Sequence, residues 1–158
     1  MSVHVKLSAI IDGMEIQSQE SSSYLNKKTG EIVTINDEEF RAAEYDDSLE
    51  EHSEWEKEFI EKAREILEDK NEGNYLALPS TFDIDEYSIM ERFCLSIEEK
   101  RISESLHYAI KGSGAFRRFK DLIHGFGVAE DWYRYRDEAL RKIGKDWCEA
   151  NNIEYTDD

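Results

Sequence analysis

Apolar residues fall at helical spacing at the start of the chain and throughout its second half, with strand-like runs between. Leu7, Ile10, Ile11 and Met14 recur at i, i+3, i+4 and i+7, which predicts a short amphipathic helix ending near Ile16. In SSSYLNKKTGEIVTI, Tyr24 and Leu25 precede a polar turn closing on Gly30, and Ile32, Val33 and Ile35 follow it, so the segment reads as a β-hairpin. A lone hairpin is marginal in water; this one must pack on a helix or gain a strand. From Asn36 to His52 acids dominate, with Phe40, Ala42, Ala43 and Tyr45 as anchors. That stretch reads as a short helix followed by a solvated, mobile acidic segment near 44–53. Ser53, three residues before Glu56, has capping-box form and opens a helix with Trp55, Phe59, Ile60, Ala63, Ile66 and Leu67 on its apolar face. It should run to about Lys70, with Asn71 and Gly73 as its stop. YLALP, ending at the single proline, Pro79, adds a third strand or crosses the sheet.

The second half reads as helical. Asp83 and Glu86 mark a helix start, followed by Tyr87, Met90, Phe93, Cys94 and Ile97. Ser103 is the expected cap of the next helix, which carries Leu106, Ala109 and Ile110 to Gly112. After GSG, the run AFRRFKDLIHGFG places Phe116, Phe119 and Ile123 on a helix closed by Gly125 and Gly127. A last helix spans about Ala129 to Ala150, with Trp132, Tyr135, Ala139, Ile143 and Trp147 expected inward and the tail EYTDD expected to fray. With no internal repeat and no Pro/Gly/Ser-rich linker, the expectation is a single domain over 1–158. Its class is α+β: an N-terminal β-hairpin or small antiparallel sheet with a predominantly helical remainder.

Composition limits the function classes. The chain of 158 residues is long enough for one core, a domain of this size removing roughly 70% of its unfolded surface from water. It is 39% hydrophobic and 36% charged, so its aromatic residues are needed as large burial units. A net charge of −17 disfavours the whole surface as a binder of nucleic acid or anionic membrane. The N-terminus lacks the apolar run of a signal peptide, and no stretch approaches the roughly 20 apolar residues of a membrane span. The expected location is the cytoplasm, with no membrane partner. Cys94 and Cys148 lie in apolar-periodic stretches and read as core thiols in a reducing compartment.

One local asymmetry offers chemistry. Lys111 to Lys145 carries nine Lys/Arg against five Asp/Glu, in an otherwise very acidic chain. Arg117, Arg118 and Lys120 interleave with Phe116 and Phe119, while Arg134 and Arg136 interleave with Trp132, Tyr133 and Tyr135. Arginine beside aromatic rings can clamp phosphates and stack bases. Helix, GSG turn and helix also form the outline of a helix-turn-helix with an anion site at the second helix. Gly112, Ser113, Gly114, Arg117, Arg118, Lys120, Tyr133, Arg134 and Arg136 therefore form a candidate binding surface for nucleic acid or a phosphate-bearing partner. The same arginines also suit a structural clasp, paired with the chain's own carboxylates, and both readings stay open.

Elsewhere the motifs are poor. His4, His52, His107 and His124 are scattered, and the acidic run Glu44 to Glu58 lacks the spaced Asp/Asn and central glycine of a calcium loop. There is no GxSxG, phosphate loop or dinucleotide fingerprint. No catalytic residue, metal site or cofactor is expected. The expected role is a regulatory or scaffolding interaction with another protein, with nucleic-acid or phosphate binding through the basic aromatic helix pair as the alternative.

GSGAFRRFKDLI followed by WYRYRDEALRKIGKDWCEANNI, together with the hairpin YLNKKTGEIVTI, Leu78 and Pro79, and DEYSIMERF, resembles a bacterial family of unknown function, uncharacterised protein family 0158. The resemblance covers most of the chain and implies a small bacterial cytosolic protein. It implies no activity and transfers no catalytic residue. It does imply that GAFRRFKD and WYRYRDEAL work as a unit, either as a clasp in which Arg117 or Arg118 pairs with Asp137 or Glu138, or as the family's binding surface.

Overall fold

A computed structural model describes residues 4–45, 53–69 and 73–157. Most of the acidic segment expected to be mobile, 46–52, lies outside them. The fold is α+β. In chain order its elements are β1 (His4–Lys6), α1 (Leu7–Ile16), β2 (Ser21–Asn26), β3 (Ile32–Asn36), α2 (Asp37–Glu44), α3 (Glu54–Glu68) and β4 (Tyr75–Ala77). They continue as α4 (Thr81–Ile84), α5 (Glu86–Ser96), α6 (Lys100–Ala109), α7 (Ala115–Gly125), α8 (Ala129–Ala150) and β5 (Glu154–Thr156). Contacts divide the chain into two compact units, residues 1–83 with 144–158, and residues 84–143.

The first unit is layered around a three-stranded antiparallel sheet of order β3-β2-β4. The hairpin forms because the Asn26 side chain accepts from Lys28 N–H at 2.9 Å, while Gly30, at φ 79, returns its N–H to the Asn26 carbonyl at 2.8 Å. YLA supplies the third strand, pairing Leu25 with Leu76. Strand alternation sends Val33 and Ile35 to one face, where they pack with Ala42, Ala43, Ile60 and Ala63 of α2 and α3. The other face carries α1. There the Ser23 hydroxyl donates to the Gly13 carbonyl at 2.7 Å, and a Cβ on Gly13 would come within 2.8 Å of Leu78 and 3.0 Å of Ile32. The helix lies this close to the sheet because position 13 has no side chain. Gly13→Val should therefore cost roughly 2 kcal/mol by overpacking, read as a lower urea midpoint at unchanged m-value.

Three termini differ from expectation. The capping box forms at Asn36 and Glu39, whose side chains accept from each other's backbone N–H at 2.7 and 2.9 Å. Ser53 makes no side-chain cap; its hydroxyl donates to the Glu56 carboxylate instead, while the described part of α3 runs to Glu68 and the expected stop at Lys70 and Asn71 lies outside the described residues. The tail expected to fray forms β5. Asn152, at φ 57, takes the left-handed position after α8, and Ile153 N–H reaches back to the Cys148 carbonyl at 2.8 Å. This reversal brings Glu154, Tyr155 and Thr156 into parallel register with His4, Val5 and Lys6.

Strand β4 is tied to α3 through Tyr75, whose N–H bonds Asp69 and whose Oη donates to Glu65 at 2.7 Å. Burial, then the Glu65 hydrogen bond and charge, push this phenol up to about 12. The folded state thus holds the Tyr75 proton more tightly than the unfolded chain. Its contribution is complete below pH 10 and is lost as pH rises toward 12. Denaturant titrations should show this loss in the parent and a shallower decline in Tyr75→Phe.

In the second unit, α5, α7 and α8 meet in an aromatic cluster. Phe93 lies 5.3 Å from Trp132, 5.4 Å from Tyr135 and 6.1 Å from Phe119, and Phe119 lies 4.9 Å from Trp132 in an edge-to-face arrangement. Two sequence expectations shift here. The N-cap of α5 is Asp85, accepting from Ser88 N–H, whereas Asp83 accepts from Ser80. Helix α6 begins at Lys100, ahead of Ser103, whose hydroxyl donates to the Cys94 carbonyl at 2.6 Å and joins α6 to α5. Along α8 the buried positions are Trp132, Leu140, Gly144 and Cys148, a stripe repeating every four residues rather than the one through Ala139, Ile143 and Trp147, which are half-buried. The last turns of that helix belong to the first unit, where Trp147 donates its indole N–H to the Ala77 carbonyl at 3.1 Å. Both cysteines are fully buried, and burial pushes each thiol up to about 11.

Candidate functional site

Two surfaces compete for function, one in each unit. The second unit holds every residue of the basic aromatic candidate. Gly112 and Gly114, at φ 79 and 76, turn the chain between α6 and α7. Arg118 closes that turn: its Nε donates to the Ala109 carbonyl at 2.8 Å, and its two Nη atoms donate to Ser113 and Lys111 carbonyls at 2.6 Å. Those are carbonyls left unpaired as α6 ends and the chain reverses, so one guanidinium fork caps a helix and fastens the turn. Arg118 is thus a clasp, but onto backbone carbonyls rather than Asp137 or Glu138. Arg136 occupies the buried stripe of α8 and bonds the Glu86 carboxylate at 2.5 Å. Arg134 lies 3.8 Å from Asp131 with both groups well exposed, an arrangement of little energetic weight.

Arg117 and Lys120 remain exposed on α7 with no hydrogen bond or ion pair among the described residues. Phe116 is 53% exposed beside them, and Tyr133 on α8 is 48% exposed. The candidate set therefore separates by role: Arg118, though exposed, and the half-buried Arg136 are bonded to the protein's own groups, while Arg117, Lys120 and Tyr133 are exposed. The second unit carries eleven acidic and eleven basic residues, so the entire net charge of −17 resides on the first.

The second surface lies on the first unit and was not singled out by the sequence. It is a groove of about 650 Å³ along β3, between Ile16 at the end of α1 and Trp55, Phe59 and Lys62 on α3. Trp55 is 63% exposed and Ile16 64% exposed. A second depression of about 280 Å³ shares Asn36, Glu39 and Trp55 with it. Together the two carry Glu31, Glu38, Glu39, Glu56 and Glu58 against one base, Lys62, which lies 3.5 Å from Glu31.

The groove runs beside the end strand of the sheet. Asn26 N–H bonds the Glu31 carbonyl and Asp37 N–H bonds the Glu20 carbonyl, both at 2.8 Å, which sets the phase of the β2–β3 ladder. Val33 and Ile35 then direct their backbone groups to β2, while Ile32 and Thr34 direct theirs outward. No strand pairs with that outer side among the described residues. The opposite edge, β4, has three residues and runs into Pro79, a blunted end; β3 has five, IVTIN, with no proline or lysine to guard it.

Among the described residues no group of three or more His, Cys, Asp or Glu side chains is arranged to hold a metal ion. No helix among them is long and apolar enough to cross a membrane. His107 sits 3.7 Å from Glu91.

These features define an α+β protein with a structurally clasped helix pair and an open-edged, acid-rimmed sheet. The chain belongs to the uncharacterised protein family UPF0158, whose family model matches residues 2–158. A UPF0158 protein of Pseudomonas aeruginosa is 33% identical over 67 residues, covering 42% of this chain and 44% of that relative. No solved structure matches the chain.

Proposed function

We propose that this protein is a non-enzymatic interaction module of the bacterial cytosol, regulatory or scaffolding in role, that binds another protein through the β3 groove. The observation that carries this reading is the coincidence of exposed Trp55 and Ile16 with an unguarded strand edge. Large aromatic side chains left in water beside a concavity favour partner binding, since tryptophan contributes most when a partner covers it. Trp55 is largely exposed, so Trp55→Ala should change folding stability by less than about 1 kcal/mol while abolishing partner capture. A photoreactive phenylalanine analogue at position 55, which keeps the aromatic ring that alanine removes, should cross-link a discrete protein in cells, and the same analogue at position 133 should not. Cross-linking from position 133 alone would move the site to the second unit.

A second reading, nucleic-acid or phosphate binding by the second unit, is favoured by the exposed, unpaired Arg117 and Lys120 and by that unit's lack of net negative charge. Its test is fluorescence anisotropy with labelled single- and double-stranded DNA and RNA at low and moderate salt. Binding on this surface falls steeply with salt and is lost in Arg117→Ala/Lys120→Ala.

A further inference from the structure

Resting on that reading of the groove, we infer that its occupant is an extended, basic segment of a partner protein that adds to β3 as a fourth strand. Four backbone groups determine the geometry. The N–H and C=O of Ile32 and Thr34 point away from β2, and no hydrogen bond among the described residues engages them. Such a row is satisfied by another strand at a spacing of about 4.8 Å, and a helix laid in the groove leaves all four groups unpaired. The flanking elements then select side chains. Helix α1 covers the sheet face of Ile32, and α3 covers the face of Val33 and Ile35. Successive residues of an added strand alternate between these faces, meeting Ile16 on one side and Trp55 and Phe59 on the other.

Charge determines the sign of the occupant. Five glutamates line the two depressions, the single lysine is already beside Glu31, and the first unit carries the whole net charge of −17. An acidic or neutral strand gains no attraction there, and an acidic one is repelled. A strand alternating Lys or Arg with Val or Ile lays aliphatic stems across Trp55 and places cationic heads at Glu39, Glu56 and Glu58. The same bias protects the unguarded edge against self-pairing, because a second β3 brings its own glutamates.

The test uses the full chain, labelled with ¹⁵N, and four synthetic peptides. These are a heptapeptide alternating Lys or Arg with Val or Ile, the same peptide with its three central amides N-methylated, an acidic counterpart, and a basic helix-forming peptide. The basic heptapeptide should bind saturably, shift the Trp55 indole signal and slow exchange at the Ile32 and Thr34 amides. N-methylation should weaken it about tenfold or more, as lost backbone hydrogen bonds require. Glu58→Lys should weaken it several-fold while leaving the spectrum of the free protein in place, and the acidic peptide should not bind. Equal binding of the methylated and parent peptides, or of the acidic and basic ones, overturns the proposal. If only the helical peptide moves Trp55, strand addition fails and the groove survives as a protein-binding surface. If no peptide moves Trp55, strand addition by a basic segment fails, and if position 55 also captures nothing in cells, the groove reading fails with it.

Discussion

Phe93→Ala lowers the unfolding free energy by about 3 to 5 kcal/mol, the cost of emptying a packed aromatic core. Phe93 is 3% exposed and contacts Phe119, Trp132 and Tyr135, which belong to two further helices of the second unit. Truncation removes the shared surface on which those rings pack, and three rings held on two helices cannot all move inward to fill one cavity. Phe93→Leu conserves most of the volume and should cost less than about 1.5 kcal/mol. Urea denaturation followed by circular dichroism reads both variants. A cost for Phe93→Ala below about 1 kcal/mol would mean that the cluster is not the core of the second unit.

Arg118→Ala has the next largest effect, roughly 2 to 3 kcal/mol. Three charge-assisted hydrogen bonds are lost, and the Ala109, Lys111 and Ser113 carbonyls lose a common donor. Partial exposure lets water replace part of that loss, so the effect stays well below the sum of three such bonds. Arg118→Lys should recover little, because an ammonium cannot present the planar fork that reaches three carbonyls along the turn. Arg117→Ala, one residue earlier and equally exposed but without such bonds among the described residues, should stay within about 0.5 kcal/mol of the parent. The contrast bears on function, since an Arg118 variant that loses ligand binding reports on folding, whereas an Arg117 and Lys120 variant reports on the surface.

Periodicity made most of the architecture legible. Leu7, Ile10, Ile11 and Met14 are buried as their spacing requires, and the hairpin and third strand follow from Asn26, Gly30 and the β-branched run. Strands β1 and β5 escaped because three residues carry no period. They are assembled by a reversal at Asn152 that places the two ends of the chain in register. Capping was misplaced where two residues fit the same motif: Ser53 and Glu56 match the box in sequence, while Asn36 and Glu39 make it. The candidate site was legible in residue type only. Five arginines and lysines beside aromatics stood out, yet whether a guanidinium meets a phosphate, a carboxylate or a backbone carbonyl depends on how the turn closes. The groove was hidden for a related reason. Trp55 belongs to the apolar face of α3, and periodicity reports which side of a helix is apolar, not whether its first turn extends past the sheet it covers. Trp55 does, and so it emerges beside β3 in water.

The groove depends on one property of β3, that Ile32 and Thr34 turn their amides outward from an unpaired edge, and residue-resolved hydrogen exchange of the free protein measures that directly. Slow exchange at Val33 and Ile35 with fast exchange at Ile32 and Thr34 is the predicted result, alternating residue by residue along the strand. Equal protection at all four amides would mean that the edge is already covered, leaving no place for an added strand.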